Sequence, residues 1–104
     1  MLKQARLWIK GDVVGVGFRA WVKIIASQCG GVVGWARNAY NNPSVFGKRG
    51  GVEVVVQGEN NDISSFIDTL ASSPNHKIDG VEVFEEDVKE IYDDFEIKKS
   101  SLIL

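Results

Sequence analysis

Three glycines and an arginine are crowded into the segment GDVVGVGFR, at positions 11, 15, 17 and 19. Glycine admits positive φ and close approach of the backbone to a ligand, so successive N–H groups can converge there into an anion-binding nest. A helix starting at Phe18 would add the unsatisfied N–H groups and partial positive charge of its N-terminus at the same place. The planar guanidinium of Arg19, at the edge of such a nest, matches two phosphate oxygens in a way that the point charge of a lysine does not. The plainer reading is a tight strand-to-helix turn followed by a solvated arginine. Two other glycine-loop chemistries fit less well. The Walker pattern fails because no Lys-Ser/Thr pair follows the glycines. Gly15, Gly17 and Ala20 satisfy G-x-G-x-x-G/A, but VVGWARNA lacks the acidic residue expected about 20 positions on, and the chain is too short for a doubly wound sheet. A second polar side chain, Asn38, closes the segment GWARN; a short amide there suits a turn, and spacing alone does not decide whether it reaches the nest.

The flanking periodicities predict the elements that hold these residues. Ala5, Leu7 and Ile9 alternate with Arg6, Trp8 and Lys10, the period of a half-buried strand. Phe18, Trp21, Val22, Ile25, Ala26 and Cys29 form one helical stripe, which Gly30 and Gly31 stop. Residues 32–38, and Val52, Val54 and Val56 alternating with Glu53, Val55 and Gln57, predict two further strands. Asn60, Asn61 and Asp62 read as caps of a helix carried by Ile63, Phe66, Ile67, Leu70 and Ala71 and ended by Pro74. Val81 and Val83 mark a fourth strand, and Phe95 with Ile97 a short last one after EEDVKEIYDD; the terminal SSLIL has no assignment. This order predicts an α+β, ferredoxin-like split β-α-β sandwich, β-α-β-β-α-β, in which an antiparallel sheet carries two helices on one face. With no repeat or linker in sight, a single domain over 1–104 is expected.

Composition narrows the classes. A hydrophobic fraction of 44% and a charged fraction of 25% belong to a folded domain with one core. No apolar run reaches the roughly 18–20 residues of a membrane span, and MLKQARLWIKGD lacks a signal-peptide core, so a cytoplasmic protein without a membrane partner is expected. Cys29, the single cysteine, lies on the apolar helix stripe and reads as a small hydrophobe. Residues 1–58 carry eight basic against two acidic side chains (+6), and residues 59–104 four against twelve (−8). A positive first half favours an anionic ligand, while the acidic second half and the lack of an RNP-like motif disfavour nucleic acid. The single histidine, His76 in PNHK, stands in a predicted loop with no visible catalytic partner. The carboxylates lack the spacing of a metal site and read as solvated loops and strand edges.

The segment GDVVGVGFRAW resembles the acylphosphatase signature G-x-V-Q-G-V-x-[FY]-R. GWARN, followed by GGVEVVVQG, resembles the second signature of that family, G-[FYW]-x-[KR]-N, a loop, then G-x-V-E. The likeness extends from the first strand to FEIKK. It implies a monomeric enzyme that hydrolyses the carboxyl-phosphate bond of small acyl phosphates to a carboxylate and inorganic phosphate, with neither cofactor nor metal. Residue by residue, it implies that Gly15, Val16, Gly17, Phe18 and Arg19 bind the phosphate, and that Arg19 and Asn38 are catalytic, Asn38 by orienting the attacking water. Two departures stand out. Val14 replaces the family's glutamine with a side chain that cannot hydrogen-bond. The connection AYNNPSVFGKRGG is longer than the family's tight hairpin and reads as either a tolerated insertion or, through Phe46, Lys48 and Arg49, a partial lid. The rival is a non-catalytic anion-binding or interaction module on the same fold, since fold does not determine function.

The implied residues suit the implied reaction. An acyl phosphate expels a carboxylate whose conjugate acid has a pKa of about 4–5, so departure needs little general-acid help. What remains is to place a water and stabilise charge on the equatorial oxygens, tasks for backbone N–H groups and one arginine.

Overall fold

Alternation in the first strand sorts its side chains between two faces: Ala5, Leu7 and Ile9 are buried, while Arg6, Trp8 and Lys10 are half-buried. The computed structural model describes residues 1–40, 50–73 and 76–100. Along them run β1 (Lys3–Asp12), α1 (Phe18–Gln28), β2 (Val33–Ala39), β3 (Gly51–Gly58), α2 (Asn60–Ala71), β4 (Lys77–Glu86) and β5 (Phe95–Ile97). The sheet order is β4-β1-β3-β2-β5. Because β3 is antiparallel to both β1 and β2, those two strands run parallel with β3 inserted between them, the split β-α-β plan. Phe18, Val22, Ile25 and Ala26 of α1, with Ile63, Phe66 and Leu70 of α2, close one core over Ala5, Leu7, Ile9, Ala36, Val52, Val54 and Val56. Each such large side chain contributes about 1.5–3 kcal/mol through its removal from water.

The structure departs from the sequence expectation in three places. The sheet is mixed rather than wholly antiparallel, because β5 lies parallel to β2, with Phe95 opposite Gly34. The chain leaves β4 at one edge and enters β5 at the other, so no tight hairpin joins them. Glu59, not an asparagine, is the N-cap of α2; its carboxylate takes the N-terminal ammonium at 2.8 Å instead of capping, and Asn60, Asn61 and Asp62 fall inside the first turn. Nor are all the carboxylates solvated edges. Glu53, 1% exposed, sits between Arg6 and Arg37, whose Nε lies 2.7 Å away. Glu86 accepts from Arg6 Nε at 2.6 Å and from Gln4 Nε2 at 2.8 Å. The segment crossing from β4 to β5 covers this face: buried Gln57 donates to Glu90 O at 2.6 Å and accepts from Tyr92 N at 3.1 Å. The long connection with Phe46, Lys48 and Arg49, the helix-ending Pro74 and the last four residues lie outside the described residues; α2 itself ends at Ala71.

Burial works to raise the Glu86 pKa, but hydrogen bonds from Arg6 and Gln4 and the attraction of Arg6 outweigh it and hold the carboxyl below its ordinary value. A depressed folded-state pKa contributes stability that is present above the unfolded pKa and lost as pH falls through the folded one. Urea titrations of wild type and Glu86→Gln are therefore expected to differ at neutral pH, wild type being the more stable, and to converge in acid.

Candidate active site

β1 keeps its pairing with β4 as far as Asp12, opposite Lys77, after a register shift between Lys10 and Gly11. Beyond it Val13 is buried and Val14 packs against the core, so apolar contacts anchor the start of the turn where Val14 offers no hydrogen bond. Gly15 and Gly17 then take φ of +76° and +79°. A Cβ at either would meet nothing within 4 Å, so the backbone conformation, not crowding, requires glycine, and the space before the turn is open. Gly17 is the N-cap of α1, without a side-chain cap and with no acid in the first turn. The first helical bond runs from Trp21 N–H to Gly17 O at 3.2 Å, so the N–H groups of Phe18, Arg19 and Ala20 are the orphan donors of a helix start that a glycine turn precedes.

Arg19 is half-buried in the first turn of α1 and joins no ion pair among the described residues. Arg6 and Arg37, on the opposite sheet face, are both bound to carboxylates. A polar groove of about 320 Å³ on that face, lined by Gln4, Arg6, Glu86 and Tyr92, thus holds an arginine that is already neutralised.

Asn38 pairs with Val52 and Val52 with Ile9, so the three form one row across the sheet. Two strand spacings of about 4.8 Å place Asn38 roughly 10 Å from Ile9. Asn38 shares its face with Ala36, the core side on which α1 packs over β2 and β5. Since β1 and β2 are parallel, the turn leaving β1 and the carboxyl end of β2 lie at one end of the sheet, and α1 starts there. The topology thereby brings Asn38 and the glycine turn to the same end and face. Asn38 is 6% exposed, and its Oδ1 has no hydrogen-bond partner among the described residues. A buried acceptor left unpaired costs about 1–3 kcal/mol.

His76, set aside as a loop residue without a partner, stands beside the turn. Its Nε2 lies 3.2 Å from Val16 O and its Nδ1 2.9 Å from Ser73 Oγ, and its ring meets Phe18 edge-on at 5.1 Å. Sixty positions separate His76 from Val16, and no local pattern in the sequence signals the contact. Among the described residues, no group of three His, Cys, Asp or Glu side chains could hold a metal ion.

The strand order and the helices on one face define a small domain of the ferredoxin-like class. The acylphosphatase family model matches residues 5–97. The chain belongs to the acylphosphatase family and is an enzyme of that class, acting on small acyl phosphates. It is 35% identical over 98 residues to an acylphosphatase of Syntrophus aciditrophicus, covering 93% of each chain. The crystal structure of acylphosphatase from Bacillus subtilis superposes with a TM-score of 0.78 at 31% identity, over 94% of this chain and 99% of that one. A full-length HypF, solved in a phosphate- and nucleotide-bound form, matches at TM-score 0.79 and 33% identity, over 96% of this chain but 12% of that protein.

At φ +79°, Gly17→Ala places a Cβ where left-handed backbone disfavours it. A loss of about 1–2 kcal/mol in urea unfolding, with the circular dichroism spectrum retained, is the expected result.

Proposed function

We propose that the phosphate of the acyl phosphate sits in the turn of residues 15–19, held by backbone N–H groups and by Arg19, while Asn38 orients the attacking water. The single observation that carries this reading is that the N-terminal donors of α1 and Asn38 Oδ1, unpaired among the described residues, lie at the same end and face of the sheet. Donors suit phosphate oxygens, and a lone acceptor suits one O–H of a water. The water oxygen attacks phosphorus in line with the acyl oxygen. As the P–O bond to the acyl group breaks, its electron pair leaves with the carboxylate. An amide has no useful proton affinity at neutral pH, so the water's proton passes to a phosphate oxygen rather than to Asn38. The N–H groups and the guanidinium stabilise the charge spread over the equatorial oxygens.

The same reading makes the chain a single-domain, cytoplasmic, monomeric enzyme that works without metal or cofactor and binds neither nucleic acid nor membrane. The concentration of acids in the second half supports the exclusion of nucleic acid.

Hydrolysis of benzoyl phosphate in the presence of a chelator tests the assignment. Arg19→Ala is expected to lose both phosphate inhibition and turnover. Asn38→Ala is expected to keep phosphate inhibition while turnover falls by about 10²–10³. Wild-type rates in either variant would remove that residue from the mechanism.

A further inference from the structure

The turn of residues 15–17 has a weakness that its own sequence does not repair. With glycine at 15 and 17 on either side, the peptide units around Val16 are free to flip between orientations. The Val16 side chain is 52% exposed and does not anchor them. A side-chain hydrogen bond from the second half of the chain does reach the turn, and it comes from His76.

We propose that His76 is a positioning residue for the phosphate turn. The inference rests on the reading of residues 15–19 as the phosphate site. Val16 O can only accept, so the facing Nε2 carries the proton and donates at 3.2 Å. Nδ1 is then free to accept from the Ser73 hydroxyl at 2.9 Å, which holds this tautomer. Phe18 at 5.1 Å and Trp21 at 6.5 Å hold the ring in place. In a planar trans peptide C=O and N–H point in opposite directions. Fixing Val16 O toward His76 therefore turns the Gly17 N–H away from it, toward the open side of the turn where the phosphate sits. Ser73 and His76 flank the connection from α2 to β4, so the second half of the chain sets the geometry of an anion site built in the first.

His76→Phe keeps the aromatic packing and removes the donor, whereas His76→Gln returns an N–H near the position of Nε2. For His76→Phe, the KM for benzoyl phosphate and the inhibition constant of inorganic phosphate are expected to rise together, about three- to tenfold, with kcat little changed. A variant that was merely less folded would lose kcat at unchanged KM. His76→Gln is expected to restore most of the phosphate affinity. In wild type, ring 15N shifts are expected to place the proton of the neutral imidazole on Nε2, a readout that requires no variant to fold. Wild-type phosphate affinity in His76→Phe, no recovery in His76→Gln, or an Nδ1–H tautomer would each overturn the positioning role. A wild type that hydrolyses benzoyl phosphate yet keeps its phosphate inhibition in Arg19→Ala would instead remove the phosphate turn, and this inference with it.

Discussion

The insertion of β3 between β1 and β2 governs where chemistry can occur on this chain. Antiparallel pairing on both sides of β3 makes β1 and β2 parallel, so their carboxyl ends face the same way. Any turn that leaves β1 for a helix must then start near the end of β2, because the crossover returns over the same face. The row Ile9, Val52 and Asn38 is the measurable form of that constraint. A one-residue slip of β2 against β3 would move Asn38 to the opposite face and put Arg37 in its place. The valines of β3, buried along its whole length, oppose such a slip.

The two sheet faces divide the cationic side chains between them. On the face away from the helices, Arg6 and Arg37 close on buried Glu53, and Arg37 and Lys98 lie over Trp35 at 5.0 and 4.8 Å. Removing one partner of a buried ion pair typically costs 3–5 kcal/mol, so these arginines serve structure and are not available to a ligand. At the end of the sheet where α1 starts, Arg19 joins no ion pair among the described residues. It is alone in this among the described arginines, and it stands beside the backbone donors that open α1.

Most of the fold was legible because its elements follow strong periods: alternation in β1 and β3, and the stripe of α1. The fifth strand was legible at Phe95 and Ile97, but its parallel pairing was not, because three residues carry no sign of the direction in which they pair. Glu53 and Gln57 alternate with the core valines, and nothing local signals their burial; Arg6 and Arg37 close over Glu53, and the return of residues 90–92 across that face holds Gln57. At the candidate site, the glycine turn before a helix was readable from residue type, and Asn38 stood out only through its motif. His76 was not, because its contact with Val16 depends on where α2 ends and β4 begins.

A phosphate bound where the turn meets the carboxyl end of β2 would perturb the amides of both. Titration of inorganic phosphate into 15N-labelled protein tests this placement most directly. Amide shifts confined to residues 14–19 and the Asn38 side chain are expected. Shifts clustered around Arg6, Glu86 and Tyr92, with the turn unmoved, would contradict it.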